Sequence, residues 1–155
     1  MARTPLEDVN CSWARAAAVL GDQWSILILR DALSGVRTFS VFQQRIGVSK
    51  SVLSARLTHL VRLGILEKAA VGTGTQRFAY DLTEKGRALG AVMVSLAHWS
   101  NQWVFESGSE PWLFIDAQSG ERVVDVRFVT TSGKTAAADQ IRVIPGPGGD
   151  TDQHS

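Results

Sequence analysis

At 155 residues, 45% hydrophobic and 20% charged, the chain has the size of one domain with a small appendage and an ordinary globular composition, which excludes collagen-like and disordered classes. A single cysteine, Cys11, rules out an internal disulfide and a thiolate zinc cluster. No apolar run approaches the ~20 residues of a membrane span, residues 1–8 carry no signal-peptide core, and a net charge of +1 makes no case by itself for a polyanionic partner. The expectation is a cytoplasmic protein without membrane contact.

In chain order, Asn10 or Ser12 can cap a first helix bearing Ala14, Ala16, Ala17, Ala18 and Leu20, which Gly21 and Asp22 end. A second helix, Gln23 to Leu33, is apolar nearly all round and should form the buried centre; Ser34 and Gly35 stop it. Thr38 or Ser40 can cap a short helix from Phe39 to Ile46. Gly47 and Val48 make a tight turn, and Ser49 caps a helix reaching about Leu63. On that helix Leu53, Leu57, Leu60 and Val61 form one inward stripe. The opposite face collects Ser51, Ser54, Ala55, Thr58, His59 and Arg62, and is small, polar and basic.

Gly64 ends the helix, and two β-prone runs, Ile65 to Val71 and Gln76 to Leu82, flank a glycine-rich turn that reads as a hairpin. Thr83 caps a last long helix to about Phe105, with Leu89, Val92, Met93, Leu96, Trp99 and Trp103 apolar. Beyond Ser107, strand-like runs at Trp112 to Ile115, Arg122 to Val129 and Ile141 to Ile144 alternate with turns. The reading is therefore mainly α with a small β component. A flexible arm at 1–10 precedes a winged helix-turn-helix domain at 11–105, ordered α-α-α-α-β-β-α. A short β-rich extension at 106–145 and a disordered tail at 146–155 follow.

The near-neutral total hides a partition. Residues 36–80 hold seven basic side chains against Glu67 alone, a net of +6, while residues 106–155 hold eight acidic and four basic ones, a net of −4. A basic block on the helix-turn-helix and hairpin points to a polyanion-facing side. The short side chains on the outer face of the fourth helix permit close approach to base edges in a major groove, and its N-terminus offers free N–H groups to a phosphate. Double-stranded DNA is thus the expected partner. Ser49, Lys50, Ser51, Ser54 and Thr58 would face the groove. Arg37, Arg56, Arg62 and Arg77 would serve phosphates or the wing, the hairpin with Gln76 and Arg77 would lie along the backbone or reach the minor groove, and Thr38 is a further DNA-binding candidate.

Three stretches also carry a family resemblance: Cys11 to Leu33, with Cys11 at its start, then Leu20, Gly21, Asp22 and Trp24, and the run Ile28, Leu29, Arg30, Asp31; Arg37 to Leu66, with Phe39, Ser49, Leu53 and Ser54; and Tyr80 to Leu89, with Leu82, Thr83 and Gly86. Together they resemble the HxlR-type bacterial transcriptional regulators. The resemblance implies a homodimer paired through the first and last helices, with two recognition helices on a pseudo-palindromic site; the protein would be a repressor more readily than an activator. Cys11 matches the position of a redox- or electrophile-sensing thiol in several members, and a helix start favours thiolate. A packed small hydrophobe is the plainer role for such a residue. The wing lacks the prolines common in the family, and the segment beyond Phe105 exceeds its common core.

An aromatic small-molecule effector could lodge between Trp24, Trp99 and Trp103. His59 reads as solvent-facing or phosphate-near. His98 and His154 lack further ligands at metal spacing, so no metal or cofactor is expected. No nucleophile elbow or phosphate loop is present, which makes an enzyme the weakest class. Two alternatives stand beside the DNA-binding reading: a winged-helix module that binds protein, and a ligand-sensing regulator whose C-terminal extension is the sensor.

Overall fold

The computed structural model describes residues 4–71 and 77–148. A 3-10 turn at Leu6–Asp8 leads into four helices, α1 (Ser12–Leu20), α2 (Gln23–Leu33), α3 (Phe39–Ile46) and α4 (Lys50–Arg62). An antiparallel pair follows, β1 (Leu66–Val71) and β2 (Arg77–Leu82), then α5 (Glu84–Ala88) and α6 (Gly90–Trp103). The described chain closes with a two-residue pair, β3 (Phe128–Val129) and β4 (Thr135–Ala136), and a 3-10 turn at Ala138–Gln140. Two compact units meet in sequence between Val94 and Ser95.

In the first unit the Asp22 carboxylate starts α2. It accepts from the backbone N–H of Trp24 at 3.0 Å and of Ser25 at 3.1 Å, and from the Ser25 hydroxyl at 2.5 Å, satisfying donors that a helix start leaves orphaned. The N-cap of α1 is Cys11, not Asn10 or Ser12. As its all-round apolarity predicts, α2 is the buried centre: Ile28 and Leu29 have no exposure, and Phe42, Leu53, Leu57, Leu60, Ile65, Leu66 and Tyr80 close around them. The inward stripe of α4 is thus Leu53, Leu57 and Leu60, with Val61 half-buried at its margin.

Gly47, at φ +74°, ends α3 in a left-handed turn, and the Ser49 hydroxyl caps α4 by accepting from Val52 N–H. At the far end Gly64 takes φ +67°. Ile65 N–H donates to Leu60 C=O and Gly64 N–H to Val61 C=O, both at 2.9 Å, a Schellman closure that drops Ile65 and Leu66 straight into the core. The strands pair with Leu66 opposite Leu82 and Lys68 opposite Tyr80. A third strand stub, not visible in the sequence pattern, joins them. Thr38 bridges Ala79, and Tyr80 N–H donates to Arg37 C=O at 2.7 Å. The hairpin turn expected at 72–75 lies outside the described residues.

The long helix expected from Thr83 to Phe105 is two helices, with Leu89 capping the first. Thr83 Oγ1 donates to Gly64 C=O at 2.7 Å and accepts from Gly86 N–H at 3.0 Å. A Cβ on Gly86 would stand 2.1 Å from Ile65 C=O, so only glycine lets α5 press against the foot of the hairpin.

In the second unit the β content is smaller than the apolar alternation suggests. The runs at 112–115 and 122–129 meet only through the Ile115–Arg122 bridge, around a turn in which the Asp116 carboxylate accepts from Gln118 and Ser119 N–H. Those bonds hold the Asp116 carboxyl below its ordinary value. Phe128–Val129 pairs with Thr135–Ala136, while Ile141 to Ile144 is not a strand. Residues 149–155, most of the tail expected to be disordered, lie outside the described residues.

Candidate nucleic-acid interface

Burial divides α4 cleanly. With Leu53, Leu57 and Leu60 sealed in the core, Lys50, Ser51, Ser54, Ala55 and Thr58 are exposed along the opposite side. Ser49 is exposed at the cap, its Oγ 3.1 Å from that of Ser51. Neither α3 nor α4 contains an acidic residue, so a polyanion meets no carboxylate on these two helices. Lys50 has no ion-pair partner among the described residues.

The arginines are differently placed. Arg37 is clamped to Asp81, with its Nη2 at 2.5 Å from Oδ2, and this carboxylate raises the guanidinium pKa further. Arg56 Nε sits 3.4 Å from Asp22 Oδ1, and Arg45 Nε 3.2 Å from Asp31 Oδ2. Arg62 Nη1 reaches Glu7 at 2.7 Å. Four of the seven cations in the basic block therefore face carboxylates from outside it. Lys68 lies over the Phe78 ring, 3.8 Å from its centroid, an attraction to the negative ring face. Thr38 is exposed and caps α3 through its backbone geometry alone. Gln76 and the Arg77 side chain lie outside the described residues.

Sequence reasoning missed what ties α4 to the N-terminal segment. His59 is half-buried, not solvent-facing: its Nε2 is 2.8 Å from Ala18 C=O and its Nδ1 3.1 Å from Arg62 Nη2. A neutral ring donating from Nε2 and accepting at Nδ1 satisfies both contacts. Arg62 in turn holds Glu7, in the 3-10 turn of the arm at 4–10, and its hydrogen bond keeps the Glu7 carboxyl below the usual carboxylate range. This tie is present at neutral pH and is lost as pH falls through that lowered value. A lone histidine among α4's outward residues was the available signal.

Cys11 is exposed at the start of α1, its N–H donating to Val9 C=O at 2.8 Å. Trp24 packs against the core of the first unit. Trp99 and Trp103 stand one turn apart on α6, 55% and 70% exposed. Val92 and Leu96 continue the same stripe, also exposed, and Trp13 on α1 is 67% exposed. Among the described residues no cluster of three or more His, Cys, Asp or Glu could hold a metal ion, and no helix is long and apolar enough to cross a membrane.

Four helices followed by an antiparallel strand pair, with an acid-free outer face on α4, form the helix-turn-helix frame, and the HxlR-like helix-turn-helix model matches residues 19–107. The chain belongs to the HxlR-like helix-turn-helix family. The uncharacterised HTH-type transcriptional regulator MT3179 of Mycobacterium tuberculosis is 33% identical over 137 residues, covering 88% of this chain and 87% of that one. Among solved structures, PA1607, described as a candidate transcription factor, superposes with a TM-score of 0.81 at 33% identity, covering 91% of this chain and 99% of its own. Diamide-treated YodB of Bacillus subtilis gives a TM-score of 0.51 at 30% identity, over 60% of this chain and 95% of its own. This HxlR-like protein is accordingly a DNA-binding transcriptional regulator of the helix-turn-helix type. The shares covered require that most of the segment after α6 is matched in MT3179 and PA1607, whereas the YodB match leaves two fifths of this chain outside it.

Proposed function

We propose that the protein is a cytoplasmic homodimeric repressor that sits on a pseudo-palindromic operator and leaves it when Cys11 is oxidised or alkylated. The observation that carries the DNA contact is the exposed, acid-free face of α4 with Lys50 unpaired at its N-terminal end. Ser49, Ser51, Ser54 and Thr58 then read base edges, because their short side chains let the helix sink into the groove. Lys50 meets a phosphate at the positive end of the helix dipole. Arg37, Thr38, Arg56 and Arg62 flank the duplex as backbone contacts, with Gln76 and Arg77 on the wing. Their ion pairs orient the guanidinium groups and lower the net field that reaches the DNA.

Duplexes selected from a random pool supply the test. Lys50→Ala is expected to weaken all of them by a similar factor and to reduce the slope of log affinity against log salt by about 1. Unchanged affinity and slope would remove Lys50 from the interface.

The redox part rests on an exposed Cys11 in a relative of a regulator whose structure was solved after diamide treatment. With one cysteine per chain, diamide can join Cys11 only to Cys11 of another copy or to a small thiol. Two thiol hydrogens pass to the diamide N=N bond as the sulfurs bond to each other. Diamide should therefore release the wild type from DNA with the matching mass change, while Cys11→Ser stays bound. Release of Cys11→Ser at the same diamide concentration would sink this part alone.

A further inference from the structure

The 95–148 unit contains an open cavity of about 600 Å³, within the range of small-molecule sites. Its lining takes in His98 and Gln102, one helical turn apart on α6, together with the apolar Leu113 and Phe114 and the charged Glu110 and Arg122. That charged pair is held open. The Glu110 side chain is only 17% exposed, yet Arg122 Nη2 stands 4.0 Å from its Oε1, beyond hydrogen-bond length. The other oxygen, Oε2, already accepts from Gly108 N–H at 2.9 Å. Close by on the same lining, Asp125 and Arg127 have closed on each other at 2.6 Å. One pair is satisfied. The other leaves a largely sheltered carboxylate and a half-exposed guanidinium with no hydrogen bond between them, on a lining that also carries Leu113 and Phe114.

We propose that this cavity binds an α-amino acid with a large apolar side chain, its ammonium on Glu110 and its carboxylate on Arg122. A simple cation bound beside this pair would face Arg122, and a simple anion would face Glu110; a ligand carrying both charges meets each with its opposite. The protein charges are 4.0 Å apart, so the two ends of the ligand must be close. In an α-amino acid they share one carbon, whereas in a dipeptide the termini are separated by a further peptide unit of about 3.8 Å. The rest of the cavity exceeds what a small side chain fills, and Leu113 and Phe114 supply the apolar contact for a large one. His98 and Gln102 stand ready to hydrogen-bond the carboxylate from α6. This site is separate from the DNA-binding reading and is tested without DNA.

The experiment titrates the full-length protein with L-phenylalanine, with phenylpropionate, which lacks the ammonium, and with phenethylamine, which lacks the carboxylate. Calorimetry and amide NMR shifts follow the binding. L-Phenylalanine is expected to bind saturably, with shifts confined to residues 98–127, and each truncated probe to bind about tenfold more weakly or worse. Glu110→Gln and Arg122→Gln should weaken L-phenylalanine by a comparable factor with unchanged far-UV circular dichroism. If either variant fails to fold, the wild-type shift map and the probe series decide. Absence of saturable binding, shifts outside this region, or equal binding of all three probes would overturn the proposal.

Discussion

Replacing Asp31 by alanine should cost the protein about 2–4 kcal/mol of unfolding free energy, read as a fall in the urea midpoint at constant slope. Asp31 is fully buried on α2, beside the buried Ile28 and Ala32. Its carboxylate accepts from Arg30 at 3.0 Å on one oxygen, while the other stands 3.2 Å from Arg45 Nε as an ion pair without a hydrogen bond, so it links the central helix to the first helix of the helix-turn-helix. Breaking a buried pair from one side typically costs 3–5 kcal/mol, because a charge is left unpaired. Here both arginines are nearly half exposed and keep part of their hydration, which lowers the figure. The alanine also leaves a void among close-packed neighbours, which raises it. Asp31→Asn keeps the shape and should lose less, about 1–2 kcal/mol. A midpoint for Asp31→Ala within error of the wild type would show that the pair contributes nothing net.

Asp31 also marks where sequence reading stops. The helices at 23–33 and 39–46 emerge with the bounds the structure has, because their ends are written in local chemistry: Asp22 and Thr38 before them, glycines after. The Leu53, Leu57 and Leu60 stripe is legible for the same reason, since a period of 3.6 belongs to the helix itself. Pairing across the chain is not local. The basic block at 36–80 looked uncompensated, yet Asp22, Asp31, Glu7 and Asp81 fold onto Arg56, Arg45, Arg62 and Arg37. Charge counted along a sequence locates a face but overstates its field. Likewise the alternation at 122–129 marks residues able to form a strand, but a ladder needs a neighbour to bond, and only Phe128 and Val129 have one in a named strand. The exposed face of α4 could be drawn from the sequence; the His59 tie to Ala18, which holds that helix against α1, could not.

Placing a glutamate at Trp99 should convert the proposed homodimer to a monomer in light scattering, and weaken a selected full-length duplex by about 10²-fold or more. The grounds lie in α6. Val92, Leu96, Trp99 and Trp103 recur at helical spacing on one side, none of them buried, and a tryptophan 70% exposed leaves a large apolar area in water. Covering that stripe with the same stripe of a second copy removes it from water on both sides at once, the self-complementary contact of a two-fold axis. A charge at its centre would then be buried against its own counterpart, and α6 itself carries no Lys or Arg to relieve it. Loss of the dimer removes the second recognition helix from the same molecule. The affinity falls by the avidity that linkage supplies, ~10²–10⁴, while a single half-site duplex should bind the variant and the wild type alike. Because Trp99 is exposed within one chain, the variant should keep its far-UV spectrum. Its thermal midpoint should lose the dependence on protein concentration that a dimer shows. A variant that still scatters as a dimer, or a wild type whose midpoint ignores concentration, would mean that this face of α6 is covered by something other than a second copy.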